Sequence, residues 1–183
     1  MPDSLSEKKL RRVLVVSALD GWSIALFAGA CTLLSLAFAE RVGVFVGTLV
    51  TAGGVIELLG NRRLKRGDAG GATALVGAQL VILGTIWVYA AVNLALFDEA
   101  RLLGQLTAGG AGVSALLDQA GITTGDIRLL LRPAFFAFYL TVMLVTLFFQ
   151  GGLALWYRNR RPAVRQALAD RERVPPPPPM PRS

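Results

Sequence analysis

Two carboxylates and two amides stand inside otherwise apolar sequence. Glu57 ends the run "GTLVTAGGVIE" and lies one helical turn before "NRRLKR", Asp20 interrupts "VLVVSALDGWSIALF", and Gln79 and Gln150 lie within apolar stretches. A carboxylate placed in hydrocarbon costs about 3 kcal/mol, so such a residue is kept near water, paired, or used to bind an ion or a proton. On a helix Glu57 shares its face with Gly54, Gly53 and Val50, at i−3, i−4 and i−7, and that face permits close approach by a neighbour. Besides a site for a partner protein or an anionic lipid, two chemistries follow. In the plainer one, Glu57 reaches headgroup water or an arginine of the 62–66 cluster and fixes a helical hairpin as an interfacial ion pair. In the other, Asp20, Glu57, Gln79 and Gln150 line a small polar vestibule for ions or protons.

Other chemistry finds little support. The chain has no histidine and one cysteine, which removes the commonest general base and leaves too few ligands for a zinc site. "GGATALVG" lacks the lysine of a phosphate loop and the serine or threonine that directly follows it. The expectation is a protein that is not an enzyme and carries neither cofactor nor metal.

These side chains must be positioned by membrane helices. Of 183 residues, 54% are hydrophobic and 17% charged, and the mean hydropathy is +0.54, far greasier than a soluble domain with about a quarter of its residues charged. The charges fall outside four apolar segments, about 22–39, 42–59, 71–97 and 134–157. Each approaches or exceeds the roughly 20 residues that cross a hydrocarbon core of about 30 Å at a rise of about 1.5 Å per residue. The predicted fold is an all-α, integral-membrane four-helix bundle.

The net charge of +7 is spread over span ends, not gathered into a basic domain, so nucleic acid is not an expected partner. Of 19 basic residues, 15 lie on one side: the N-terminal "KKLRR", the loop from Arg62 to Arg66, and the arginines after residue 157. Arg41, Arg101, Arg128 and Arg132 lie on the other. The positive-inside rule then places both termini and the 61–69 loop in the cytoplasm and the 98–132 segment outside. Arg62, Arg63, Lys65 and Arg66 are candidate contacts for anionic lipid headgroups, each worth about 1 kcal/mol near the surface. The alanine-, glycine- and arginine-rich style points to a bacterial inner membrane.

Local signals divide the chain further. Residues 1–19 are expected to be a cytoplasmic, interfacial helix that breaks at "DGW", with Asp20 capping the first span and Trp22 at headgroup level; the alternative is one continuous helix. "KKLRR" followed by "SLAFAE" imitates a signal peptide, but the apolar region exceeds the roughly 7–15 residues of one, so an uncleaved span is expected. The short "ERVG" makes spans one and two antiparallel neighbours. Gly60 and Asn61 read as stop signals and Asp68 as an N-cap. Within 98–132, "ARLLGQL" and "VSALLDQAG" read as short amphipathic helices, and "TTGDIRLLLRP" opens a helix in which Pro133 kinks or begins span four. The transmembrane domain is taken as 20–160, and 161–183 as a basic, proline-rich, disordered cytoplasmic tail.

Span three carries a packing signal. Gly70, Ala74, Gly77, Val81, Gly84, Val88, Ala91 and Ala95 recur with a 3.5-residue period, a seam of small side chains suited to close helix contact. Gln79, Ile86 and Asn93, with Tyr89, mark roughly the opposite face. Span four, rich in phenylalanine, reads as largely lipid-facing, with Tyr139, Thr146 and Gln150 as a polar stripe toward span three. The expected function is that of a non-enzymatic inner-membrane protein acting by helix packing, as a homo-oligomer or an accessory or scaffold subunit of a membrane complex. The alternative is an oligomeric channel or transporter for ions or protons, with Glu57 near its cytoplasmic mouth.

Overall fold

The computed structural model describes residues 5–108, 119, 121 and 124–173, and the described secondary structure is helical throughout. The helices are α1 (Leu5–Ala37), α2 (Arg41–Lys65), α3 (Gly71–Ala95), α4 (Glu99–Ala108), α5 (Thr124–Thr146) and α6 (Gly152–Arg173), with a π-helical turn at Leu147–Gly151 between the last two. Four candidate membrane spans result by length and composition: α1, α2, α3 and the helical segment Gly125–Arg173. Large apolar side chains such as Phe27, Phe38, Phe148 and Leu96 are exposed around these helices, as a lipid-facing surface requires. The described residues form two compact units, one up to Thr85 together with everything from Leu147 onward, the other Ile86–Thr146.

In the first unit, α1 and α2 run antiparallel with their glycines in contact. A three-residue turn joins them, with Ala39 at φ 54°, a left-handed conformation uncommon outside glycine. Cβ atoms built on Gly43 and Gly47 would collide with Ser35 and Thr32. One on Gly54 would lie 2.9 Å from the Ala25 nitrogen and 3.1 Å from the Gly21 carbonyl oxygen. Gly47, Gly54 and Asn61, seven residues apart, thus face α1 in descending register. A second face of α2 meets α3: Gly53 abuts Ile82, and a Cβ on Gly71 would stand 2.5 Å from the Gly60 oxygen. These approaches let dispersion act between backbones where lipid offers no hydrophobic drive.

At the basic end, Leu10 and Val13 of α1, Leu64 of α2, Ala72 and Leu75 of α3, and Tyr157, Val164, Ala167 and Leu168 of α6 form one buried cluster. Arg171 and Glu7 add an ion pair across α1 and α6.

In the second unit, Trp87 donates to the Met143 carbonyl at 3.1 Å, and Tyr89 meets Tyr139 edge-on with centroids 6.1 Å apart. Phe97 packs on Phe135 and Phe136. Arg128 pairs with Glu99 at 3.3 Å, tying α5 to α4.

Several local expectations need correction. The helix does not break at Asp20: α1 is continuous, because Gly21 is a contact point against Leu58 and Gly54. Gly60 and Asn61 do not stop α2, since both are buried packing residues; the chain turns at Gly67, with φ 89°. Asp68 does accept from the Gly70 N–H, at 2.7 Å, just before α3. Pro133 lies inside α5. Residues 161–173 are not a disordered tail but continue α6, with Val164, Ala167 and Leu168 buried. "ARLLGQL" falls within α4, whereas most of "VSALLDQAG" and all of 174–183 lie outside the described residues.

Candidate functional site

Four helices of the first unit converge on Glu57. The spacing that sets Gly54 against α1 and Gly53 against α3 carries Glu57, one turn further along α2, into the junction of those helices, where its exposure is 0%. Tyr157 of α6, 2% exposed, donates its hydroxyl to Glu57 Oε1 at 2.7 Å. Gln79 of α3, 0% exposed, donates from Nε2 to Glu57 Oε2 at 2.8 Å and to Asp20 Oδ2 of α1, also at 2.8 Å. One amide nitrogen therefore bridges two carboxyl groups, and Gln79 Oε1 is buried with no hydrogen-bond partner among the described residues.

A second polar layer lies one turn away toward the basic end. Asn61, at i+4 from Glu57, donates at 2.6 Å to both the Leu14 carbonyl and Ser17 Oγ, and Ser17 is at i−3 from Asp20. Ser17 and Asn61 are both buried. Polar groups sealed in this way stabilise a fold only when they are hydrogen-bonded, and here they bind α1 to α2 in a single register.

The expected ion pair between Glu57 and the 62–66 cluster is absent: Glu57 points into the junction, and Arg62, Arg63, Lys65 and Arg66 are exposed. Three of the four predicted polar residues, Asp20, Glu57 and Gln79, come together. Gln150 does not join them by hydrogen bonding; it is half-buried in the π-helical turn with Oε1 unpartnered among the described residues. Tyr157, Asn61 and Ser17 were missed. Tyr157 sits at the end of an apolar span, where a tyrosine reads as an interfacial anchor; its only sequence signal is that it ends span four on the same side of the membrane as Glu57.

The α3 seam lies elsewhere. Gly70, Gly77, Val81, Gly84, Val88, Ala91 and Ala95 are exposed and Ala74 is half-buried; a Cβ on Gly77 or Gly84 would meet nothing within 4 Å. The opposite face is filled by Leu75, Ala78, Gln79 and Ile82, all buried. Between the C-terminal half of α1 and α2 runs an open, apolar groove of about 860 Å³, lined among others by Gly29, Thr32, Thr48 and Ala52.

No protein-family model, curated protein or solved structure matches this chain.

Proposed function

We propose that the chain is a non-enzymatic, multi-pass protein of the bacterial inner membrane, with both termini cytoplasmic, which acts by helix packing as a homo-oligomer or as an accessory subunit of a membrane complex. The contrast between two sets of glycines carries this reading. Those of α2 are consumed within the chain, against α1 and α3, whereas Gly77 and Gly84 of α3 have open space where a side chain would be. A seam of small residues left uncovered on a membrane helix is suited to another helix, since close backbone approach supplies the contact energy that lipid does not. The exposed cations of the α2–α3 turn suit an anionic cytoplasmic leaflet. Purification from the native membrane in mild detergent tests this. A protein mass, with bound detergent subtracted, above one 19.5 kDa chain, or a stoichiometric partner chain, is expected; a bare monomer would overturn the proposal.

The gathering of Asp20, Glu57 and Gln79 favours a second reading, an oligomeric channel or transporter for ions or protons with Glu57 near its cytoplasmic mouth. A buried carboxylate at a helix junction is where such proteins place a binding group. Proteoliposome fluxes above those of empty vesicles, lost in Glu57→Gln, would support it; fluxes equal to empty vesicles would exclude it.

A further inference from the structure

We propose that Asp20 and Glu57 hold one exchangeable proton between them, with Gln79 and Tyr157 as the neutral groups that orient the pair and Asp20 as its point of entry.

The hydrogen bonds motivate this. Gln79 Nε2 has two hydrogens and directs one at each carboxyl group, both at 2.8 Å, so the two acceptor oxygens lie within twice that distance of each other. Tyr157 spends its one hydrogen on the other oxygen of Glu57. Every donor of the cluster thus serves a carboxyl oxygen, yet Gln79 Oε1, in a side chain with 0% exposure, has no donor among the described residues. Two carboxyl groups held by one amide nitrogen at a buried helix junction repel each other when both are ionised, and one shared hydrogen relieves that repulsion.

Among the described residues no cation forms an ion pair with either carboxyl group. The titratable groups that meet at the junction are Asp20 from α1, Glu57 from α2 and the Tyr157 phenol from α6, while α3 contributes only the neutral Gln79. Arg160 and Arg161, one turn beyond Tyr157, form no ion pair with either carboxyl group among the described residues, and Arg160 stacks on Trp156 at 4.1 Å. A hard divalent cation is a poor fit, since about six to eight oxygen ligands are its usual complement and among the described residues no third acidic side chain joins the two. A proton needs one acceptor and leaves the helix contacts as they are. Of the four side chains, only Asp20 is partly exposed, so exchange with the outside passes through it. The proton belongs to the pair, not to one residue.

This inference is independent of whether the chain oligomerises. It is tested by infrared spectroscopy of the full chain in lipid nanodiscs, titrated over the pH range in which the helical signal is constant. Beyond the bands of the ten other acidic side chains, which the Asp20→Asn, Glu57→Gln double variant retains, the wild type is expected to show one additional protonated-carboxyl carbonyl band that appears and vanishes in a single step of one proton per chain. In Tyr157→Phe the band should shift in frequency, and in the Asp20→Asn, Glu57→Gln double variant it should be lost. A folded wild type in which no titrating band responds to Tyr157→Phe, the variant that keeps the ring and its packing, would overturn the proposal. So would an unchanged band in a folded double variant.

Discussion

Replacing Tyr157 by phenylalanine removes one oxygen and nothing else. The ring keeps its place beside Trp156, with centroids 5.3 Å apart, and within the apolar cluster at the basic end, so no cavity larger than a hydroxyl opens. What is lost is the 2.7 Å hydrogen bond to Glu57 Oε1, at a site where Tyr157 is 2% and Glu57 0% exposed and water is not at hand to replace it. Hydrogen bonds to charged groups contribute about 1.5–3 kcal/mol in soluble proteins. Within membranes measured couplings are smaller, averaging about 0.6 and reaching about 1.7 kcal/mol. Burial on all sides favours the upper part of the membrane range, and a cost of about 1–2 kcal/mol is expected. Reversible unfolding in mixed micelles gives this number. A double-mutant cycle with Glu57→Gln then isolates the pair, and a coupling of about 1 kcal/mol is expected. A single-variant cost below about 0.5 kcal/mol, together with no coupling, would refute the view that this bond holds α6 to α2.

The two sets of glycines should respond in opposite ways. Gly54→Leu, whose Cβ alone would lie 2.9 Å from the Ala25 nitrogen, should destabilise the fold by at least about 1–3 kcal/mol in the same assay, while Gly77→Leu should change it by less than about 0.5 kcal/mol. Arg171→Ala should cost no more than about 1 kcal/mol in that assay, because the pair with Glu7 is largely solvent-exposed. Cys31 is exposed on α1 in the middle of its apolar stretch, so a membrane-impermeant maleimide should leave it unlabelled in intact membranes and label it after denaturation in detergent.

The four candidate spans were legible because composition and length alone set them, and three of the junction residues because a polar side chain in an apolar run has few physical reasons to be there. The misread positions share one cause. Glycine, asparagine and aspartate punctuate helices in soluble proteins, where they compete with the backbone or free it; in close-packed membrane helices the same residues let backbones touch or cross-link them. Thus Gly60 and Asn61 resembled a stop, but Gly60 abuts Gly71 and Asn61 holds Leu14 and Ser17. "DGW" resembled a cap, but Asp20 meets Gln79 and Gly21 meets Leu58. The partnership of Tyr157 with Glu57 spans 100 residues, and no local pattern records a contact of that range. Residues 161–173 looked like tail because they are strongly charged; their buried side, Val164, Ala167 and Leu168, is narrow and has meaning only beside Leu10 and Val13 of α1.

The central claim, that the open face of α3 is a helix contact in the membrane, is most directly tested by cysteine cross-linking in native membranes. Gly77→Cys and Gly84→Cys would each be placed in a Cys31→Ser background, with Phe27→Cys, 76% exposed on α1, as the control. Oxidation should link each seam position to the same position of a second copy, or a photoreactive maleimide attached there should link it to one defined partner chain, and the control should stay unlinked. Seam positions that react no more than Phe27→Cys would contradict the account.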